Sequence, residues 1–599
     1  MHYKVSQPYQ KLFGRRKAML DPAQNPAKKA AEEARVQIQH CIDNNEHFLV
    51  EAGAGAGKTY SLVETLNYLI AKRGADLLRR NQRIACITYT NVATDEINVR
   101  TDRHPAIQTS TIHAFCWSIA RGFQPLLRSE ITSLTGWPER LLEIDGVGNR
   151  EIEYNLGHPK IENDRLLLHH NDVLSLTIKL MEHSKFRQLL AQRYPILFID
   201  EYQDTERNFA EALKVHFLGN GNDPLIGFFG DHWQKIYGNG CGQIAHPNLK
   251  VIGKTCNFRS VHSIVDVLNH MRPELPQQVE DPSATGSVAV YHTNSWPGVR
   301  LKGQHWGDDL PPEIAHSYLD HVRNLLGTEG WDFSPGKTKI LMLTHRVLAA
   351  EQGYAGIESI FDYNDAFVKK EDPYIAFFCG IVEPVCLAYE KKRFGEMFAA
   401  LGTRTPHIMS LADKQGWARD MDKLLKIRST GTIAAVLDCL KHTKRPRLPE
   451  AVERRERELE APADATEPDQ SNAIERTRKL RDLPYQEIIA LAKFIVESTP
   501  FATKHGVKGA EFENVLVVFG RGWNQYNFNQ FLEWAANPQS IPAARLDAYE
   551  RNRNLFYVVC SRPRKRLAVL FTQSLSSAAM STLSGWFEAN DIHAIALPD

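Results

Sequence analysis

The residues most able to do chemistry lie in a run of small side chains, Ala52-Gly53-Ala54-Gly55-Ala56-Gly57, followed by Lys58, Thr59 and Tyr60. Small residues let backbone N–H groups come close to phosphate oxygens. A helix starting at Lys58 adds partial positive charge. The spacing puts Lys58 on the β- and γ-phosphates of a nucleotide and the Thr59 hydroxyl on Mg²⁺. Ala52 stands where the strict pattern has glycine. A second cluster, Asp200-Glu201-Tyr202-Gln203-Asp204, follows the apolar run Ile196–Ile199. Asp200 is placed to bind Mg²⁺, directly or through water. Glu201 is placed to orient and deprotonate an attacking water. Paired carboxylates are common on surfaces, and a Gly/Ala-rich turn occurs by chance; their combination points to ATP or GTP hydrolysis. Neither says what the hydrolysis drives.

Such groups need strand ends to hold them. Short apolar runs recur at Phe48–Val50, Ile84–Ile87, Ile196–Ile199, Leu225–Phe229, Ile340–Leu343, Val515–Phe519 and Leu567–Phe571. None alternates, as expected of strands in parallel sheets covered on both faces. Helical patterns lie between them; Leu62, Leu66 and Leu69 share one helical face. The expected fold class is α/β, in layers with right-handed crossovers. Ligands then bind beyond the C-terminal strand ends. Two stretches, 116–193 and 354–490, read as mainly helical. The charged segment Lys441–Leu483 reads as a solvated face, part of it a linker or an exposed helix pair.

Composition sets limits. The chain has 599 residues, 43% hydrophobic and 24% charged, with 72 basic and 71 acidic residues for a net charge of +1. A nucleic-acid partner therefore needs local basic grooves rather than a global field. No apolar run reads as long enough to span a bilayer. The nine cysteines form no C-x-x-C pair, which fits a reducing cytoplasm and argues against a zinc or iron–sulfur module.

The motifs together resemble the UvrD/PcrA/Rep group of superfamily 1A helicases, from about Gln37 to Arg566 and in the family's order. Ala52–Thr59 is similar to AGAGSGKT, Ile87-Thr88-Tyr89-Thr90-Asn91 to TFTN, and Thr111-Ile112-His113-Ala114-Phe115 matches the next DNA-side motif. Asp200–Asp204 resembles DEFQD. Gly230-Asp231 with Gln234, Ile236, Tyr237 and Gly238 resembles GDxxQSIYG. Asn257-Phe258-Arg259-Ser260 resembles NYRS. Thr503–Phe512 resembles TxHxxKGLEF, and Leu555–Arg562 resembles LxYVAxTR.

The resemblance implies two RecA-like motor domains with parallel sheets, each carrying a helical insertion. Residues 1–115 and 194–248 would form the first, with 116–193 inserted; 249–353 and 491–599 would form the second, with 354–490 inserted. It implies that Gln37, 21 positions before Lys58, reads adenine, with Gln39 its rival. Phe258 would pack on adenine, Glu511 would bond the ribose, and Gln234 would sense the γ-phosphate. Arg259 and Arg562 would reach that phosphate from the second motor domain, so that ATP draws the two domains together. Tyr89, Asn91, Thr111, His113, Tyr237, Arg346 and His505 would line a path for single-stranded DNA.

Asn239 stands where the family has a base-stacking tryptophan, leaving Tyr237 or Trp233 as the platform or the grip weaker. The implied activity is ATP-dependent 3′→5′ translocation on single-stranded DNA with duplex unwinding, with ATP and Mg²⁺ as cofactors. The alternative is a DNA-stimulated ATPase that signals to a separately encoded nuclease, as in Gabija-type phage defence. The stretch after Arg562 shows no D…E-x-K pattern and leaves no room for a fused nuclease domain, so cutting would fall to a separate protein.

Overall fold

Continuous apolar runs become strands because helices cover both of their faces. The computed structural model describes residues 25–597 except 143, 145, 156–158, 220–223, 237, 304–305, 343–344, 362, 403–407, 461–467, 497–498, 504–509 and 522–525. The first sheet runs, edge to edge, Ile107–Thr111, Ile84–Thr88, Ile196–Asp200, Leu225–Gly230, Phe48–Ala52 and Lys250–Lys254. All its pairs are parallel. The four central strands are buried along their whole length. One face carries helices Pro26–Asp43 and Lys58–Arg79, with Leu62, Leu66 and Leu69 all buried. The other face is covered by a core that includes Phe115, Trp137, Leu176 and Leu213.

The stretch 116–193 is mainly helical, but it also forms a three-stranded sheet in the order Glu151–Tyr154, Arg165–Leu168, Lys160–Ile161. Polar residues between these short strands hide their pattern in the sequence.

The chain divides into two compact units, residues 1–287 with 542–565, and residues 288–541 with 566–599. The boundary expected at 248/249 falls inside the first of these units. Strand Lys250–Lys254 pairs with Phe48–Ala52 as the sixth strand of the first sheet. Helix Leu546–Cys560 packs on the short turn His232–Gln234. Both Arg259 and Arg562 thus belong to the first unit.

A second six-stranded sheet, most of whose residues lie in the second unit, has the order Phe501–Thr503, Thr338–Met342, Phe512–Phe519, Pro563–Phe571, Ser287–His292, Ile592–Ala594. Thr338–Met342 pairs in parallel with both of its neighbours, as does Ser287–His292 with Ile592–Ala594. Its core includes Tyr318, Val322, Ile340, Leu516 and Leu570. Residues 354–490 form a helical body around Phe378, Met421, Leu437 and Ile488. Helix Glu450–Glu460 buries Val452 there, and helix Pro468–Asp482 buries Leu480, so this charged stretch is anchored rather than merely solvated. Among the described residues one helical stretch, Ala366–Glu390, is long and apolar enough to cross a membrane, against the sequence expectation. It is not one continuous helix: residues 369–372 break it, the pieces Pro373–Phe377, Phe378–Val382 and Glu383–Glu390 follow one another directly, and 61% of its most apolar part is buried.

Candidate nucleotide site and nucleic-acid face

The site is built at the C-terminal ends of the central strands of the first sheet, where parallel strands leave a crevice. Strand Phe48–Ala52 enters the phosphate loop and helix Lys58–Arg79 leaves it. Gly55 and Gly57 have φ of 75° and 71°, a region that favours glycine. A Cβ on Gly55 would lie 2.6 Å from Asn257 Oδ1 and 2.9 Å from Arg259 Cβ.

Buried polar groups fix the loop from outside. Asn257 Nδ2 and Gln277 Nε2 donate to the Ala54 carbonyl at 3.0 and 3.1 Å. The Ala54 N–H donates to Tyr557 Oη at 3.3 Å. Lys254 Nζ donates to the Gly57 carbonyl at 3.1 Å and also bonds Ser61 Oγ. The Phe258 N–H donates to the Gly55 carbonyl at 2.9 Å, and Phe258 stays 38% exposed beside the loop. An exposed aromatic face here suits a purine base. Tyr60 is exposed on the first turn of the helix.

The groups expected to act in hydrolysis lie beside this loop. Lys58 Nζ lies 3.3 Å from Glu201 Oε2. Glu201 has φ 48°, a left-handed conformation that costs a non-glycine residue about 1–3 kcal/mol and recurs at functional sites. Gln203 Nε2 donates to Glu201 Oε2 at 2.6 Å. Asp200 is buried, and its Oδ1 has no hydrogen-bond partner. Burial, with the neighbouring Glu201 charge, pushes its carboxyl up to about 7. A divalent cation would supply the missing partner and reverse that shift. Asp200 and the Thr59 hydroxyl thus fit the expected Mg²⁺.

Arg562 is 1% exposed. Its Nη2 donates to Gln234 Oε1 at 3.1 Å, its Nε to the Val558 carbonyl at 2.8 Å, and its Nη2 to Ser561 Oγ at 3.0 Å. These acceptors are neutral. Burial, reinforced by the Arg259 charge, brings Arg562 down to about 9. It stays cationic at neutral pH and is poised to gain from an incoming anion. Arg259 Nη1 donates to the Ser561 carbonyl at 3.1 Å, which ties the two arginines to one turn.

The other expected contacts divide by place. Gln37 is exposed on helix Pro26–Asp43 and Gln39 is half-buried, so both remain open for adenine. Glu511 is exposed, in the second unit. Tyr89, His113 and Asn239 line a cavity of about 340 Å³ together with Asp200, Glu201 and Asp204. Asn91 is exposed at the start of its helix, and Thr111 is half-buried at the N-cap of the next. Arg346 lies on helix His345–Gln352 of the second unit, its side chain outside the described atoms. Tyr237 and His505 lie outside the described residues. Trp233 is not an available stacking platform: it is buried, edge-on to Tyr557, with the Arg553 guanidinium 4.4 Å and the Arg272 guanidinium 5.2 Å from its ring.

Sequence reasoning missed the groups beneath the loop. These are Glu51, Lys254, Arg272, Gln277 and Tyr557, together with the roles of Gln203 and Asn257. One signal was present: Glu51 is a charge inside a run of apolar strand residues, and buried carboxylates need partners.

Comparison with known proteins follows the same lines. The UvrD/REP helicase N-terminal domain family matches residues 31–145 and 147–245. Gabija protein GajB of Bacillus cereus is 24% identical over 92% of this chain and 97% of its own length. ATP-dependent DNA helicase Rep of Buchnera aphidicola subsp. Schizaphis graminum is 23% identical over 37% of this chain and 41% of its own. ATP-dependent DNA helicase PcrA of Staphylococcus epidermidis is 25% identical over 41% of each chain. This chain therefore spans nearly all of GajB, but less than half the length of the two named helicases. With its phosphate loop, paired carboxylates and buried arginine gathered about one parallel sheet, the chain is similar over residues 31–145 and 147–245 to the N-terminal domain of UvrD/REP helicases.

Proposed function

We propose that this protein is an ATP-driven DNA translocase and helicase that moves 3′→5′ on single-stranded DNA. The observation that carries hydrolysis is the Arg562–Gln234 contact beside a loop whose Lys58 faces Glu201. In this reading the loop amides and Lys58 cradle the β- and γ-phosphates. Gln203 holds the Glu201 carboxylate, which orients and deprotonates the attacking water. Arg562, with Arg259 behind it, meets the charge that develops on the transferred phosphoryl group. Phe258 and Gln37 receive the base, and Glu511 the ribose. When bound by Thr59 and Asp200, Mg²⁺ neutralises phosphate charge.

The cavity shared by Glu201 with Tyr89, His113 and Asn239 supports a coupling of DNA to hydrolysis. A strand held by those side chains would sit against the wall that carries the catalytic carboxylate. Asn91, Thr111, Tyr237, Arg346 and His505 extend the proposed DNA path. The nine cysteines are free thiols, which supports a cytoplasmic setting.

A second reading has its own support. The likeness to GajB extends over nearly the whole chain, and Trp233 is sequestered while Asn239 lines the cavity. Both favour a DNA-stimulated ATPase that grips bases weakly and activates a separately encoded nuclease, in phage defence rather than repair. One pair of assays separates the readings. ATPase stimulated by single-stranded DNA is expected in the wild type and absent in Lys58→Ala. Arg562→Ala is expected to lose about 10³-fold in kcat. Displacement from 3′-tailed but not 5′-tailed duplexes supports the motor. Stimulated turnover without displacement on either substrate selects the sensor, and turnover indifferent to DNA overturns both.

A further inference from the structure

Beneath the phosphate loop lies a charge network that the hydrolytic mechanism does not use. Arg272, at the C-terminal end of helix His262–Met271, is 1% exposed. Its Nη1 bonds Asp231 Oδ1 at 2.7 Å and its Nη2 bonds Glu51 Oε1 at 2.8 Å. Glu51 is the residue before Ala52, on the strand that delivers the loop. It also takes His232 Nδ1 at 2.7 Å and the Tyr202 hydroxyl. Asp231 opens the turn that carries Gln234. Its Oδ1 accepts the Trp233 N–H at 3.0 Å, and its Oδ2 accepts Gln234 Nε2 at 2.7 Å. Its own N–H donates to Gln203 Oε1 at 3.0 Å, and Gln203 in turn holds Glu201.

We propose that Arg272 is a positioning residue for ATP hydrolysis, clamping Glu51 at the foot of the phosphate loop to Asp231 beneath the γ-phosphate sensor Gln234. The inference rests on the ATPase reading above. An amide has one donor end and one acceptor end. With Nε2 of Gln234 committed to Asp231, Oε1 must face the other way, where Arg562 Nη2 meets it. Asp231 keeps this orientation only while its own charge is balanced. Arg272 balances it and the Glu51 charge at once, with two guanidinium edges in fixed geometry. The register Glu51↔Gly230 sets Glu51 opposite the last residue of the neighbouring strand, which Asp231 directly follows, so without a cation the two carboxylates would repel. The cluster Glu51, Asp231 and His232 also has the spacing of a metal site, but the guanidinium supplies the cation there.

A buried ion pair that only held the fold together would alter stability and leave the chemistry of folded molecules unchanged. The test therefore reads coupling in turnover. Arg272→Lys keeps a charge but loses the planar two-pronged clamp. It is expected to lower kcat about tenfold while KM changes by less than about threefold. In Gln234→Ala, where the sensor amide is gone, adding Arg272→Lys should cost little more, because interacting residues are not additive. Independent losses that multiply in the double variant, or a wild-type kcat in Arg272→Lys, would overturn the assignment. If Arg272→Lys does not fold, Asp231→Asn enters the same cycle with Gln234→Ala, with the same two outcomes decisive. Absence of ATPase in the wild type itself would instead remove the underlying reading.

Discussion

At the scale of single residues, the cavity proposed to hold DNA is lined by a histidine whose charge state burial and its neighbours decide. His113 stacks on His170 with ring centroids 3.3 Å apart, and its Nε2 is buried without a hydrogen-bond partner. Burial first, then the His170 and His169 charges, brings its pKa down to about 4. The folded pKa lies below the unfolded one, near 6.5. The unfolded chain therefore binds more protons in that interval. The stabilisation due to neutral His113 is full above about pH 6.5 and is lost as pH falls towards 4. His113→Asn should flatten this part of the pH dependence of the urea midpoint, and identical profiles for both proteins would show that His113 does not titrate in this way. The same neutrality bears on function, since an uncharged ring offers DNA a stacking face and a donor rather than a phosphate-binding cation.

At the scale of elements, what the sequence made legible follows from whether the stabilising partners are local. The strands Phe48–Ala52 and Ile196–Asp200 read clearly because both faces are buried, so the apolar run is unbroken. Lys250–Lys254 did not, because it is an edge strand with three exposed positions whose pairing depends on a segment about 200 residues away. Lys58, Asp200 and Glu201 were legible from spacing alone. Arg272 was not, since its partners Glu51 and Asp231 are distant in sequence and no motif frames it. The helical body hides a similar pairing. Arg428 donates to Glu383 through Nε at 2.8 Å and Nη2 at 2.7 Å, and both side chains are buried. Arg428→Met strands the Glu383 charge and is expected to cost about 3–5 kcal/mol in chemical denaturation. Arg428→Met with Glu383→Leu should recover most of that loss, because a buried pair replaced by apolar groups is often neutral. A double variant no more stable than the single one would show that the pair's desolvation is not the controlling cost.

At the scale of the whole molecule, the distribution of the nucleotide contacts has a measurable consequence. The loop, the carboxylates, Gln234, Phe258, Arg259 and Arg562 all fall in the first unit, and of the proposed ATP contacts Glu511 alone falls in the second. A ligand at 100 times its Kd stabilises the binding-competent state by about 2.7 kcal/mol, enough to slow opening-limited amide exchange about a hundredfold. Hydrogen exchange with a non-hydrolysable ATP analogue and Mg²⁺ should therefore slow in 53–59, 201–204, 231–234, 256–259 and 557–562. Protection confined to 53–59 and 201–204 would show that Arg259 and Arg562 are not nucleotide contacts in this unit, and the proposed transition-state role would fall with them. Protection at 510–512 is the separate signature of the Glu511–ribose contact. Its absence, with the first-unit segments protected, would place the whole nucleotide site on the first sheet and leave the second unit to read DNA or a partner.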